Sequence, residues 1–473
     1  MRKAAWKAFG GNEGGNFAVT FAVASTLIVS AAGFAVDTAN LYRIRTSLQG
    51  ALDAAVTSTA RDLTTGKIAE KDARSAVERF LSTNGVGTLG QDKAVLESLV
   101  VDRAERTVEA SARIDVDLFF PFLDEDGRAE VAVGSAALYS DRRIEVAMML
   151  DVTGSMEGQK IEDLKTAASN AVKAFLGSQD PRNPRVRVAI VPYAEAVNVG
   201  ALASVAVFDE KAAGGANLPA PEDAVLKASA GASDRCATER RLQDGTADAS
   251  DDSPYDRREH VLPNKFYRAK VNRDDRLGAC PKAQLVALTA DRAKLLRTVE
   301  DFSAAGVTAG GIAAQWGYYM LSPKWRSAIK DAGMGQGPAN HDGRQVAKVA
   351  VLMTDGLFNT AFAGVPDGET DRTCRKHSRT TPQGCQPGKA RNHALAVCEA
   401  MKKSGIEVFT IGFALDDPKV SKAERDQARA LLKNCASPDA SGYRHFFDAS
   451  TGAELDAALQ EVVGNVERLA VTR

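Results

Sequence analysis

Two largely apolar runs, about 200 residues apart, each end in a carboxylate followed by a turn. Residues 144–150 lead into Asp151 and a Thr-Gly turn, and residues 347–354 lead into Asp355. Short apolar runs of this kind are typical of parallel strands that are covered on both faces. Two further runs, at 186–192 and 407–413, predict buried strands of the same sheet.

Segments with apolar residues three and four positions apart separate these runs and predict amphipathic helices. The predicted helices cover residues 158–175, 312–321, 395–403 and 453–463. Strands that alternate with helices indicate an α/β fold with at least five strands in a right-handed, mostly parallel sheet. This domain is predicted to span residues 143–473.

An inserted region at about 200–282 interrupts the alternation of strands and helices. It is rich in Ala, Gly and Asp, with an acidic patch around residues 244–256 and weak periodicity. Such composition predicts a solvated surface excursion rather than an additional part of the core.

The N-terminal third of the chain has a different pattern. Residues 17–36 are 20 positions without a charge, about the length that one helix needs to cross a bilayer. An amphipathic helical pattern continues over residues 37–62. Its apolar face requires another part of the protein to pack against. Residues 63–142 then predict a small α+β module with a helix at 71–81 and alternating strands at 108–118 and 129–137.

The charges around the apolar run favour a retained membrane anchor with a short cytoplasmic segment at residues 1–16. Arg2, Lys3 and Lys7 precede the run, and Asp37 follows it directly. A cleaved signal peptide is the main alternative. The apolar run is longer than the core of a typical signal peptide, so we favour the anchor.

Length and charge narrow the possible functions. A chain of 473 residues exceeds one compact core and predicts two or three domains. It carries 60 basic and 61 acidic residues and a net charge of −1, without a basic cluster. Nucleic-acid binding is therefore not expected.

Six cysteines, all C-terminal to the apolar run, indicate an oxidising compartment. We expect disulfides Cys236–Cys280, Cys374–Cys385 and Cys398–Cys435, because each of the first two pairs brackets a polar, irregular segment. The alternative is a zinc site formed by Cys374, His377, Cys385 and His393. Their spacing matches no common zinc pattern.

Five residues form a candidate metal site on loops that follow the predicted strands. Asp151, Thr153 and Ser155 alternate on the first loop, Thr308 lies on a glycine-bounded second loop, and Asp355 ends the later strand. Two carboxylates and three hydroxyls suit the octahedral oxygen coordination of Mg²⁺, with Mn²⁺ or Ca²⁺ as alternatives. The simpler interpretation is that both aspartates only cap helices.

This ordered set resembles the metal-ion-dependent adhesion site of von Willebrand factor A domains. The family pattern is Asp-x-Ser-x-Ser, a distant Thr and a distant Asp; here Thr153 replaces the first Ser and keeps its hydroxyl. The resemblance implies a Rossmann-like, doubly wound sheet with the cation at its top. It also implies that an acidic group of a partner completes the coordination shell.

The whole arrangement resembles TadG-like proteins of the tight-adherence (Flp) pilus system. The resemblance rests on the Gly15-Asn-Phe-Ala-Val-Thr-Phe-Ala segment, the apolar helix, the segment 48–55, and Trp316-Gly with Trp325 in the later domain. It implies a bacterial envelope protein, anchored once in the inner membrane, with its C-terminal bulk in the periplasm. Its partners would be envelope or pilus-assembly proteins that present an acidic group to the metal.

No catalytic residues are expected in this chain. The alternative is a Mg²⁺-dependent hydrolase of the cell envelope that uses a metal-activated water. It lacks an obvious general base, because none of the five histidines accompanies a motif; they are His260, His341, His377, His393 and His445. A third possibility, a substrate-capturing partner of a cytoplasmic ATPase, is inconsistent with oxidised cysteines.

Overall fold

The structure is a computed structural model of the chain, and it divides into two compact units. The first contains the described residues from 14 to 139 except Lys67, and the second contains Lys67 and the described residues from 142 onward. The described residues are 14–64, 67–84, 94–102, 105–120, 127–139, 142–177, 179, 184–210, 234–242, 244–256, 268–269, 271–343, 345–366, 385–418, 420–439 and 443–472. Predictions for Cys374, His377, His260 and residues 1–13 lie outside them.

One continuous helix, α1 (Gly14–Thr64), opens the first unit. The predicted membrane helix and the predicted amphipathic extension are therefore parts of a single element. By length and composition, the helix is long and apolar enough to cross a membrane, and few side chains of its apolar window are buried.

The second half of α1 packs on a small α+β layer. Helix α2 (Ala73–Asn84) and the antiparallel strands β1 (Val95–Asp102), β2 (Thr107–Asp117) and β3 (Arg128–Leu138) complete this unit. The buried face of α1 contains Ile44, Leu48, Leu52, Ala55, Val56, Ala60 and Leu63. The helical pattern beyond the apolar run therefore has the partner surface that its amphipathicity requires, and β1 is the strand that periodicity does not predict.

The second unit is larger and alternates strands with helices. Its first elements are β4 (Arg143–Asp151), α3 (Gln159–Leu176), β5 (Val186–Tyr193), β6 (Val197–Asn198), α4 (Ala203–Ala206), β7 (Val207–Asp209), β8 (Cys236–Ala237), β9 (Tyr255–Asp256), β10 (Arg268–Ala269), β11 (Val271–Arg273), β12 (Val286–Thr289) and α5 (Arg292–Glu300). The remainder are α6 (Gly310–Leu321), α7 (Arg326–Asp331), β13 (Val346–Thr354), α8 (Pro387–Lys403), β14 (Glu407–Phe413), α9 (Lys422–Cys435), β15 (Phe446–Ala449) and α10 (Gly452–Thr472).

The main sheet of this unit has the strand order β15-β14-β13-β4-β5-β6-β8, and β12 pairs with β5. The strands from β15 to β5 are mutually parallel, whereas β6, β8 and β12 pair antiparallel. The predicted α/β fold with a mostly parallel sheet is confirmed. Strand β4 lies inside the sheet, between β13 and β5.

Apolar side chains of the sheet point alternately into two separate cores. Val146 and Met148 of β4 join the core under α3 and α10, whereas Ala147 and Met149 join the core under α6 and α8. The sheet is thus covered by helices on both faces, which is the doubly wound arrangement expected from the resemblance.

The prediction that the insertion is a solvated surface excursion is wrong for parts of it, whereas the acidic residues at 244–253 are exposed or half-buried. Arg240, Arg273 and Asp274 of the insertion are almost fully buried, and Cys236 and Val271 join a main core. The charges balance one another in ion pairs, notably Arg241 with Asp274 and Arg276 with Asp274. Charged residues can be buried when they form ion pairs with one another. The composition of the insertion does not show which charges pair after folding, so it indicated solvent exposure.

Two of the three predicted disulfides are present, namely Cys236–Cys280 and Cys398–Cys435. Cys385 is also disulfide-bonded, and its predicted partner Cys374 lies outside the described residues. The zinc alternative is therefore wrong, because an oxidised Cys385 has no thiolate to offer. His393 is instead buried, and its Nε2 lies 3.1 Å from Oε1 of Gln315.

A buried ion pair lies between strands β4 and β13. The ammonium of Lys348 donates to Glu145 over 2.6 Å and to the carbonyl oxygens of Leu321 and Ala339 over 2.7 and 2.8 Å. Arg187 also pairs with Glu145, and both side chains of the central pair are nearly inaccessible. A buried charge that loses its partner is costly, so this pair constrains which strands can be neighbours.

We predict that Glu145→Ala destabilises the second unit by roughly 3–5 kcal/mol, because it leaves a buried ammonium unpaired. Asp426→Ala is the control, since it removes an exposed pair with Lys422 and should cost less than about 1 kcal/mol. Urea unfolding of the detergent-solubilised chain, followed by the emission of the buried Trp316 and Trp325, measures both. Equal midpoints for the two variants would contradict the prediction.

Candidate metal centre

The first loop of the candidate site begins where β4 ends. Asp151 accepts hydrogen bonds at one carboxylate oxygen from the backbone N–H and the hydroxyl of Thr153, at 2.9 and 2.6 Å. A short 3₁₀ turn (Gly154–Met156) follows. It places Ser155, an exposed residue, beside Asp355 at the end of β13. The alternate spacing therefore directs all three side chains to one side of the loop.

Asp355 approaches this loop from the end of β13. Ser155 Oγ donates to Asp355 Oδ1 over 2.6 Å, and Lys160 Nζ donates to Asp355 Oδ2 over 2.8 Å. Lys160 belongs to the first turn of α3, and its side chain is about one quarter exposed at 26%, whereas the side chain of Asp355 is buried. Asp151 and Asp355 therefore belong to the same site, although they lie 204 positions apart in the sequence (355 − 151).

The second loop places Thr308 between the other two. Gly154 N–H donates to the carbonyl of Gly306 over 3.0 Å, and a Cβ at Gly154 would lie only 3.2 Å from that oxygen. On the other side, the backbone N–H of Thr308 donates to Asn359 Oδ1 over 3.0 Å, and Asn359 N–H donates to the carbonyl of Thr308 over 2.9 Å. Thr308 lines the same cleft as Ser155 and Asp355.

Asp151 is fully buried, and strand register explains its neighbours. It pairs with Tyr193 in β5, and it lies level with Thr354 because Leu150 pairs with Met353. Accordingly, Thr354 Oγ1 donates to Asp151 Oδ2 over 2.7 Å, and the Tyr193 hydroxyl lies 3.3 Å from the same oxygen. Burial and repulsion from Asp355 raise the pKa of Asp151 to about 7.

The donor set fits a hard divalent cation. Thr153 and Ser155 each donate their single hydroxyl proton to a carboxylate, so no proton remains for the 3.0 Å contact between their oxygens. Lone pairs of these two oxygens therefore face each other beside two mutually repelling carboxylates. A cation coordinated by these oxygens would offset both repulsions, and it would supply electrostatic attraction for an anionic ligand.

Sequence reasoning missed Lys160, Tyr193, Thr354 and Asn359. Thr354 directly precedes a predicted ligand, so its position could have drawn attention. Lys160 lies five positions after Ser155 in the predicted helix, which is a weaker signal. Tyr193 could not be found without the register that pairs it with Asp151.

Two other clusters of acidic or cysteine side chains occur among the described residues, and their groups are already paired within the protein. Glu210, Asp274 and Asp275 converge, but arginines pair with two of them: Arg241 donates to Glu210, and Asp274 binds two guanidinium groups. Asp234 lies near Cys236 and Cys280, whose sulfurs are bonded to each other. Neither cluster has a donor set comparable with that of the first loop.

A cleft of about 440 Å³ opens beside the candidate centre. Ser155, Lys160, Thr308 and Asp355 line one part of it. The remainder is lined by Gly356, Leu357, Asn359, Ala414, Leu415, Asp417, Val420, Glu424, Arg425 and Ala428. No histidine lines this cleft among the residues that the structure describes.

The second unit thus has a doubly wound α/β fold in which three loops gather oxygen-bearing side chains at the carboxyl end of the central strands. At the other end of the chain, residues 15–62 match the Tad family, described as "Putative Flp pilus-assembly TadE/G-like". The predicted resemblance to TadE/TadG-like proteins is confirmed for that segment, which is a small part of the chain. A search of curated proteins finds no match.

Several solved structures are similar to the chain. The von Willebrand domain of the type V pilus tip protein Mfa5 from Porphyromonas gingivalis is 15% identical with a TM-score of 0.37, covering 70% of this chain and 97% of that one. The pilus adhesin SpaC from Lactobacillus rhamnosus GG is 13% identical with a TM-score of 0.36, covering 80% of this chain and 34% of that one. Proximal thread matrix protein 1 of the mussel byssus, with a zinc-occupied metal-ion-dependent adhesion site, is 12% identical with a TM-score of 0.29. The match covers 69% of this chain and 46% of that one.

We predict that Mg²⁺ reverses the stability order of wild type and Asp151→Asn. Without a divalent cation, the variant should be more stable, because it removes the repulsion between Asp151 and Asp355. With Mg²⁺ at about 100 times its Kd, wild type should gain about 2.7 kcal/mol and the variant much less. Thermal unfolding in chelator and in Mg²⁺ measures this, with the exposed Asp301→Asn as control. An equal gain in Asp151→Asn would exclude Asp151 as a ligand.

Proposed function

We propose that this chain is a non-catalytic, membrane-anchored envelope protein that helps to assemble or anchor a tight-adherence pilus. It binds its partners through a divalent cation, Mg²⁺ in the first place, held by Asp151, Thr153, Ser155, Thr308 and Asp355. The observation that supports this most directly is the convergence of these oxygen ligands beside an open cleft.

The charge of the centre favours an anionic partner. With both aspartates ionised on the cation, the two carboxylates, the ammonium of Lys160 and a divalent cation would carry −2, +1 and +2, so the loaded centre would have a charge of +1. A carboxylate from a partner would neutralise it and occupy a coordination position that this chain leaves to water. Leu357, Leu415 and Val420 provide apolar surface beside that position for the rest of the partner's side chains.

The proposed location is the bacterial inner membrane, crossed once by residues 17–36, with the C-terminal bulk in the periplasm. The apolar half of α1, its match to a pilus-assembly family and the disulfides of the second unit support this location. Maleimide labelling of intact cells, with and without reductant, tests the side of the membrane. Cysteines that react without reductant would contradict an oxidising compartment.

A Mg²⁺-dependent hydrolase of the envelope remains the alternative. It requires a general base near a metal-bound water, and the described residues of the cleft include no histidine. Asp417 and Glu424 are the other carboxylates that line the cleft, and Glu424 accepts hydrogen bonds from the backbone N–H and the hydroxyl of Ser421. Hydrolysis of phosphate esters by wild type, lost in Asp151→Ala, would support the hydrolase over the binding protein.

We predict that partner capture depends on the cation. Pull-down from crosslinked envelopes should recover partners with wild type in Mg²⁺ and lose them in chelator. Asp151→Ala should lose them in both conditions, and Ser155→Ala, which keeps the charge of the site, should show a partial loss. Asp301→Ala is the matched control, because it removes an exposed aspartate of the same unit.

Thermal unfolding of each variant separates lost binding from lost folding. An Asp151→Ala chain that captures every partner in chelator as tightly as wild type in Mg²⁺ would show that the site does not mediate the interaction. Loss of capture in Asp301→Ala would show that the assay reports stability instead.

A further inference from the structure

The loop that carries Thr308 is held by two neighbouring segments. On one side, the backbone N–H of Ala309 donates to the carbonyl of Ala194 over 2.9 Å. On the other side, the backbone N–H groups of Asn359 and Thr360 donate to the carbonyl of Thr308 over 2.9 and 3.2 Å. The position of the Thr308 hydroxyl therefore depends on where these two supporting segments lie.

Residues 274–280 of the insertion, here called the brace, hold the segment that contains Asn359. Arg276 donates from Nη1 to the carbonyl of Val365 over 2.7 Å and from Nη2 to the carbonyl of Phe362 over 2.8 Å. Phe362 lies three positions after Asn359 and is fully buried. One guanidinium group thus fixes two backbone carbonyls just beyond the support of Thr308.

A second residue of the insertion holds Phe362 from its other backbone group. The N–H of Phe362 donates to Glu239 Oε1 over 2.8 Å, and Glu239 is almost fully buried. The guanidinium of Arg276 also lies 5.9 Å from the centre of the Phe362 ring. The insertion therefore contacts this part of the chain through the carbonyl, the N–H and the side chain of a single residue.

The brace also holds the other supporting segment. The backbone N–H groups of Gly278 and Ala279 donate to the two carboxylate oxygens of Glu195 over 3.3 and 3.1 Å. Glu195 directly follows Ala194, and only 6% of it is exposed. The same seven-residue stretch, from 274 to 280, thus contacts the supports on both sides of the Thr308 loop.

Both ends of the brace are fixed in turn. At its start, the buried carboxylate of Asp274 accepts from Arg276 Nε over 2.7 Å and pairs with Arg241. At its end, Cys280 is bonded to Cys236. A segment fixed at both ends holds its neighbours in place instead of moving with them.

We propose that Arg276 and Glu195 are positioning residues, which raise the affinity of the candidate centre for its cation by fixing the loop of Thr308. This inference rests on the proposed function, because it concerns the same metal. The described lining of the cleft includes no residue of the brace, so the effect passes through the backbone of the supporting segments. A ligand that is already ordered loses less conformational freedom when it binds.

Isothermal titration of the detergent-solubilised full chain with Mg²⁺ alone measures the Kd. We expect Arg276→Ala to raise it about tenfold, as the loss of groups that orient metal ligands commonly does. Arg276→Lys should give a smaller rise, because an ammonium keeps the charge but lacks the planar fork that reaches both carbonyls. Glu195→Gln keeps the size of the side chain and loses one acceptor for the brace, so it should also raise the Kd.

Arg326→Ala is the matched control. Arg326 likewise holds a loop, since it donates to the carbonyl of Pro338 over 2.8 Å and to Asn340 Oδ1 over 2.9 Å. That loop precedes β13, whereas Asp355 follows the other end of the strand. Arg326→Ala should lower the midpoint of thermal unfolding in chelator, as Arg276→Ala does, and leave the Kd unchanged.

A double-mutant cycle tests the route through Thr308. Thr308→Val removes the hydroxyl that the brace is proposed to position, so the addition of Arg276→Ala to this variant should change the Kd little. A further rise of about the same size as in the wild-type background would show that Arg276 acts elsewhere, and it would overturn the proposal.

The outcomes separate the proposal from the metal centre on which it rests. Mg²⁺ binding by wild type, with an unchanged Kd in Arg276→Ala and Glu195→Gln, would overturn the brace and leave the centre standing. An equal rise in Arg326→Ala would attribute the effect to a general loss of stability and overturn the brace as well. Absence of Mg²⁺ binding by wild type would refute the centre itself, and this inference with it. A rise in Arg276→Ala and Glu195→Gln alone supports the brace.

Discussion

Two carboxylates that repel each other must lie side by side at the carboxyl end of the central strands, and much of the second unit serves this arrangement. Parallel pairing of β4 with β13 fixes the approach, since Leu150 lies level with Met353. A shift of one residue would turn Asp151 to the other face of the sheet. Hydroxyls, an ammonium and the open cleft are arranged around this repulsion, and the proposed cation and its anionic partner would bind at the point where the electrostatic cost lies.

The two central strands and the positions of the candidate oxygen ligands at their ends were predictable because each signal is local. Apolar runs of strand length ending in Asp and a turn need no knowledge of distant residues. Helix α9 was predictable in principle and was missed, although Ser421 and Glu424 form a capping box at its start. Strand β1 was missed because its buried and exposed positions do not alternate regularly.

Contacts that depend on pairing between distant segments were not predictable. Tyr193 reaches Asp151 through strand register, and the buried arginines of the insertion meet carboxylates up to 39 positions away, as Arg273 meets Asp234. Composition describes such a segment as polar, whereas pairing makes it part of the core. Lys160 belongs to the same class, because only the folded loop shows that its ammonium reaches Asp355.

Strand β4 connects the two ends through which mechanical load would pass. Strand β4 begins at Arg143, close to the start of the second unit, and its last residue, Asp151, is a proposed ligand of the cation that would contact a partner. Tension between an anchor on the N-terminal side and a partner at the cation would therefore pull β4 along its own axis. Hydrogen bonds to β13 and β5 on both sides would be loaded in shear and together, so the pairing that positions the proposed site would also resist extraction of β4.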